Sequence, residues 1–259
     1  MSADLVPAAV RTRWLAHRID AHPVVDSTNA RAWILDEDGA PHGTLVVAGG
    51  QTAGRGRQGR TWESVPGNLF ASVLLRRETV DGHDAALSLV AGLEIAATLR
   101  YDLDLDDVGV KWPNDVWLAG RKVAGVLSEA RTDARPRVVI GFGVNLRAPD
   151  AGWGELEGHA TSLDAHGTAL TPAAFLEHLL PRLERGLEAF DAAGFATCRD
   201  AWTDFDVLAG RTVAYTRGRI AERGRALGVD GSGALRVETE GGAERTLHGG
   251  EVHLEELAP

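Results

Sequence analysis

One cysteine, Cys198, is all that this chain of 259 residues carries. That excludes an internal disulfide framework and cysteine-rich metal sites, and it fits a reducing cytoplasm. Long apolar runs are missing too: nothing approaches the ~18–20 residues that a membrane span requires. The N-terminal stretch MSADLVPAAVRTRWLAHRID carries several charges and no apolar core of the signal-peptide kind. The nine histidines are scattered and form no HExxH pattern. Positive charge is in deficit, with a formal net charge of −10. This argues against general nucleic-acid binding, which needs a basic face or stripe. A P-loop is excluded because no GxxxxGK(S/T) run occurs, and no GxGxxG joins a strand to a helix in the dinucleotide-binding arrangement.

What is present is a soluble, globular composition, 44% hydrophobic and 25% charged. The length suits one large domain, or a domain plus a small module. One stretch stands out against the acidic background: Gly54-Arg55-Gly56-Arg57-Gln58-Gly59-Arg60. A glycine-dense loop does not pack its arginines, and guanidinium groups pair with carboxylate or phosphate through two parallel hydrogen bonds. The plain alternative is a solvated surface loop.

Periodicity places this loop in an alternating α and β pattern. Asp26-Ser27-Thr28 reads as an N-cap cluster before a helix at Ala30–Leu35. Thr44–Ala48 reads as a buried strand feeding the glycine–arginine loop, and Asn68–Leu75 as another strand. His83–Arg100 reads as a core helix, with apolar residues at 89, 90, 93, 96 and 97. Val108–Trp112, Asp115–Leu118 and Lys122–Ala130 are short β runs, the last two joined by an Ala119-Gly120 turn. Arg137–Leu146 is a further strand, followed by a glycine-rich loop near Gly152–Gly158. Thr171-Pro172 starts the last long helix, which ends at Gly194 and is expected to kink at Pro181. From about Val207 short alternating runs broken by glycine turns predict a small all-β, barrel-like module. The expected division is 1–206 and 207–259.

Four segments read as chemistry rather than packing. Ser27-Thr28-Asn29 is either a plain cap or a helix N-terminus offering free N–H groups beside two hydroxyls. Gln51 lies just past a buried strand, where a rigid element aims it. Lys111-Trp112-Pro113-Asn114-Asp115 clusters a cation, an amide and a carboxylate. Lys122 either snorkels at a strand end or points into a pocket. Arg55, Arg57, Lys111 and Lys122 form a candidate phosphate clamp, and Asp115 a candidate Mg²⁺ ligand, because that ion commonly bridges carboxylates and substrate phosphates.

Together these segments resemble the biotin–protein ligases. The family order is an STN turn, a QTAGRGRxGR loop, a KWPND segment, a basic KxAG strand and a GxGxN strand end. Here the matches are Ser27–Asn29, Gln51–Arg60, Lys111–Asp115, Arg121–Gly125 and Gly141–Asn145. The resemblance covers nearly the whole chain, and the loop and KWPND are its specific parts. It implies an α+β fold, a mixed sheet packed against helices in the class II synthetase-like biotin–lipoate ligase core, with a small C-terminal SH3-like β-barrel. It also implies two reactions: biotin and ATP give biotinyl-5′-AMP with Mg²⁺ as helper, and a lysine of a biotin carboxyl carrier domain then takes the biotinyl group.

By the match, Ser27, Thr28, Asn29, Gln51, Arg55, Gly56, Arg57 and Lys122 hold biotin. Arg55, Arg57, Arg60, Lys111, Trp112, Asn114, Lys122 and Asn145 hold ATP or the adenylate. Lys122, Arg57 and Asp115 carry the chemistry, with Asp115 toward the metal. Some members stack a tryptophan on adenine from the loop after the GxGxN strand. This chain has Ala160-Thr161-Ser162-Leu163 there, with Trp153 nearby in sequence. Other members carry an N-terminal helix-turn-helix. Only 26 residues precede Ser27 here, so the expectation is a monofunctional cytoplasmic enzyme without DNA or membrane partners, with a homodimer left open. The rival readings are a lipoate or octanoate ligase or transferase of the same superfamily, and a non-catalytic biotin-binding regulator.

Overall fold

The computed structural model describes residues 4–78, 86–133, 135–217 and 220–254. Seven strands form its main sheet: β1 (Ile19–His22), β2 (Thr44–Ala48), β3 (Leu69–Arg76), β4 (Val108–Lys111), β5 (Asp115–Leu118), β6 (Arg121–Arg131) and β7 (Arg137–Val144). Their spatial order is β1-β2-β3-β7-β6-β5-β4. β1 runs parallel to β2, and every other neighbouring pair is antiparallel, so the sheet is mixed as expected.

Strand alternation divides the sheet into two faces. Leu45, Val47, Leu69, Ala71, Val73, Leu75, Val138, Ile140, Phe142 and Val144 join the main core on one face. Helix α2 (Leu87–Ala97) covers that face and is buried nearly all round, and α3 (Pro172–Ala193) packs behind it. The expected stripe on α3, Leu176, Leu179, Leu180, Leu183, Leu187 and Phe190, is buried. Thr171 caps this helix through its hydroxyl, which accepts from the Ala174 N–H at 3.2 Å, and Pro172 opens it. The helix runs on past Pro181 to Ala193, and Gly194 follows at φ 70°. Residues 83–85 of the expected core helix lie outside the described residues; the rest continues beyond α2 as a wider turn, Thr98–Asp102.

The opposite face is only half covered. Helix α1 (Thr28–Glu37) packs Ala32, Trp33 and Leu35 on Val46, Leu74 and Val139. Beside it the same face carries Gly141 and Gly143 on β7 and Gly125 on β6. Gly125 pairs with Gly143, and Gly141 pairs with both Ser72 and Leu127. Without side chains at these positions the sheet has a depression where a core would otherwise be.

A second, five-stranded antiparallel sheet holds β8 (Thr212–Arg217), β9 (Ile220–Val229), β10 (Leu235–Thr239), β11 (Glu244–Leu247) and β12 (Val252–Leu254), ordered β11-β10-β9-β8-β12. A short helix that the sequence pattern does not announce, α4 (Arg199–Phe205), lies between the two sheets in the chain, and its Trp202 and Phe205 are buried. Seven residues are too few for a helical period to show.

Candidate active site

The depression opens into a cavity of about 820 Å³, lined by all five motif segments, by Trp62, by Trp153 and by residues 250–253. At one end stands the N-terminus of α1. Ser27 takes the N-cap position with extended backbone, yet its hydroxyl makes no capping bond. The plain-cap reading therefore fails for the side chain, which instead borders the cavity. Gln51 Oε1 accepts from the Thr28 N–H at 2.8 Å and from its hydroxyl at 3.2 Å. Ser72 Oγ lies 2.8 Å from Thr28 Oγ1 and 2.7 Å from Asn29 Oδ1. Asn29 sits so close to the sheet that a Cβ on Gly141 would come within 2.1 Å of its Oδ1. This corner is polar but uncharged, and most of its groups are buried.

The glycine–arginine loop folds back on itself. Arg55 bridges to Thr61 in the antiparallel sense, and the Trp62 N–H donates to Gly54 O at 3.0 Å. Gln58 takes a left-handed φ of 58°, and Gly59 follows at 75°. The turn lets three arginines diverge. Arg55 reaches Glu129 Oε1 at 3.2 Å and Arg60 pairs with Glu251, whereas Arg57 leans toward Asn114 Oδ1 at 3.5 Å. At the loop's far side the Trp62 indole lies on the glycine floor: a Cβ on Gly143 would stand 2.6 Å from Cε2, and one on Gly125 2.8 Å from Cζ3. Trp62 was not among the residues expected at the site. The signal for it is the pair of bare positions across the sheet, which becomes visible only once β6 and β7 are in register.

The third wall is cationic. Lys111, Asp115, Gly125 and Gly143 form one paired row across β4, β5, β6 and β7, so they share a face. Lys122 joins them through a register shift. Ala124 pairs with Val116 and Lys122 with Trp117, which leaves Val123 as an extra residue on β6. A bulge of this kind re-aims the side chain beside it. Without it, alternation would send Lys122 to the core face with Ala124 and Val126. As built, Lys122 Nζ lies 2.6 Å from Asp115 Oδ1 and 5.1 Å from the Trp62 ring centre. The snorkelling alternative for Lys122 is thereby replaced by a lysine turned into the cavity.

Asn114 is held through its Nδ2, which donates to Val126 O at 2.8 Å. Asn145 is buried, and its Nδ2 donates to Thr161 O at 3.1 Å. Trp112 borders the cavity, but its ring is buried and its N–H donates to Gly233 O at 3.0 Å, fastening the KWPND segment to the second sheet.

Electrostatics follow from this crowding. Burial draws Arg57 below its ordinary range, with Asp115 opposing the drop and Arg60 adding to it. Burial likewise lowers Lys111; Asp115 opposes, while Lys122 and Arg60 push further down. Cations held this close, partly out of water, favour an anion between them. For a metal, the described residues contain no cluster of three ligating side chains. Asp115 offers one carboxylate at the cationic wall, a donor set that suits a Mg²⁺ ion held mainly by phosphates and water.

Comparison with known proteins identifies the family of this fold. Residues 21–145 match the biotin/lipoate A/B protein ligase family, and residues 209–254 the biotin protein ligase C-terminal domain. The bifunctional ligase/repressor BirA of Bacillus subtilis is 32% identical over 98% of this chain and 79% of its own length. The biotin–[acetyl-CoA-carboxylase] ligase of Paracoccus denitrificans is 37% identical over 85% of this chain and 93% of its own. A biotin protein ligase from Aquifex aeolicus, solved with biotin and ATP, superposes with a TM-score of 0.78 at 29% identity, over 93% of this chain and all of that one. Fold and pocket define a ligase core of the biotin–lipoate type, joined to an SH3-like module. The chain belongs to the biotin/lipoate A/B protein ligase family.

Proposed function

We propose that this chain activates biotin with ATP and transfers the biotinyl group to a lysine of a biotin carboxyl carrier domain. The observation that carries the proposal is the polar, uncharged corner at Thr28 and Gln51 facing a cationic wall at Lys122 and Arg57 across one glycine floor. Biotin has that division, a neutral ureido head with donors and acceptors and an anionic tail.

In the first step a carboxylate oxygen of biotin bonds to the α-phosphorus of ATP, and pyrophosphate leaves. Two anions must meet, so the step needs positive charge where they approach. Lys122 supplies it, released from Asp115 as the anions arrive. Arg57 and Arg55 close with the loop over the mixed anhydride, and Ser27, Thr28, Asn29, Gln51 and Gly56 hold the head. Lys111, Arg60, Asn114 and Asn145 surround the nucleotide, with Trp112 as wall. Asp115 is the residue that would hold Mg²⁺, whose bound charge offsets that of the phosphates. In the second step the carrier amine attacks the acyl carbon, AMP leaves, and the amine loses a proton to solvent or to the departing phosphate.

The two family matches, ending at 145 and starting at 209, support a catalytic part at 1–206 and a C-terminal module at 207–259. Among the described residues no helix is long and apolar enough to cross a membrane. With a single free cysteine and an ATP-dependent reaction, the cytoplasm is the compartment we infer. Incubation with biotin, MgATP and a carrier domain should add one biotinyl mass to a single lysine. An unmodified carrier, or one that takes lipoate instead, would refute the proposal.

A further inference from the structure

The C-terminal module reaches the cavity through residues 250–253. Glu251 pairs with Arg60 of the glycine–arginine loop, and its other oxygen lies 3.6 Å from His253 Nε2. His253 sits on β12, the edge strand of the second sheet, exposed, with its backbone paired to Ala214 of β8. Among the described residues, the charged groups that face it are Glu251 on its own segment, Arg60 on the loop and Lys111 on β4. Burial lowers the imidazole pKa, and Lys111 and Arg60 lower it further. Three nitrogen groups from three separate elements therefore border one end of the cavity, with Glu251 as the nearby carboxylate.

We propose that His253 is an anion-binding residue contributed by the C-terminal module, which with Arg60 and Lys111 takes the pyrophosphate end of the nucleotide. This rests on the ligase reading above. Glu251 holds Arg60 while the end is empty; an incoming polyphosphate replaces it. The polyphosphate also reverses the field at the imidazole, because a nearby opposite charge favours the protonated form. His253 then binds as a cation, and a proton is taken up from solvent.

The probe is inorganic pyrophosphate with magnesium, acting as product inhibitor of biotinyl-adenylate formation by the full chain, near pH 6 and near pH 8. The ratio of variant to wild type at each pH cancels the titration of pyrophosphate itself. His253→Ala should weaken inhibition about fivefold near pH 6, the scale of one charge-assisted hydrogen bond, and less than about twofold near pH 8. His253→Lys should restore tight inhibition at both pH values, with the KM for biotin unchanged in both variants. Equal ratios at the two pH values, no change at all, or an equal rise in the KM for biotin would overturn the assignment. Should His253→Ala misfold, the lysine variant decides alone: pH-independent tight inhibition supports the proposal and loss of inhibition refutes it. If the wild type forms no biotinyl adenylate, the ligase reading fails; if it does and the ratios stay at one, only this inference fails.

Discussion

The indole of Trp62 lies against Gly143, so close that a Cβ at that glycine would stand 2.6 Å from ring atom Cε2. The loop and the sheet thus share a contact that admits no side chain on the sheet side. Gly143→Ala should force the ring off the floor and leave the loop unseated. Overpacking of this kind costs about 1–3 kcal/mol, so adenylate formation should fall roughly tenfold or more while the helical signal in circular dichroism persists. Undiminished adenylation in that variant would show that the contact is incidental.

Lys122 is the second case. Its ammonium is turned into the cavity and paired with Asp115 at 2.6 Å, and neither group is fully buried. Lys122→Ala should leave thermal stability within about 1 kcal/mol, as for a partly exposed ion pair. Pyrophosphate release should drop by roughly 10²–10³-fold, the scale of a lost charge-stabilising donor. Release at the wild-type rate would remove Lys122 from the chemistry.

Arg57 tests the lid. Its guanidinium leans on Asn114 while Arg55 and Arg60 point elsewhere, so it is the loop arginine best placed over an acyl phosphate. Arg57→Gly should still make the adenylate but lose it to solvent, labelling lysines on unrelated proteins. Retention of the adenylate with unchanged carrier selectivity would contradict a closing role.

These three cases mark how far the sequence reading reaches. Strand and helix positions were legible because burial leaves a short apolar run at β2 and a stripe of period 3.6 on α3. Lys122 was legible as a residue type but not as a direction, because the bulge at Val123 sets which face it takes and no local pattern announces a bulge. Trp62 was missed because its partners, Gly125 and Gly143, are distant in the chain and meet it only in the folded sheet. Glu251 and His253 were missed for the same reason, and so was the bond from the Trp112 N–H to Gly233, whose partners are distant in the chain.

A fourth prediction concerns stability. Glu94 on α2 packs so closely on α3 that a Cβ on Gly186 would lie 2.7 Å from its Oε1. Burial pushes its carboxyl pKa up to about 7, with Arg182 and Arg185 opposing. The folded state therefore keeps a proton that the unfolded chain releases near its ordinary value of 4.5. Stability from this group is whole below that value and declines as pH rises to about 7, by on the order of 2–3 kcal/mol. Glu94→Gln should be nearly neutral near pH 4.5 and stabilising above pH 7, measured by urea unfolding. A stability difference that does not change across this window would refute the linkage.

The central claim is tested most directly by ATP–pyrophosphate exchange. With biotin the purified chain should exchange labelled pyrophosphate into ATP, and with lipoate or octanoate the exchange should stay at background. Exchange driven by lipoate, or none with biotin, would contradict it.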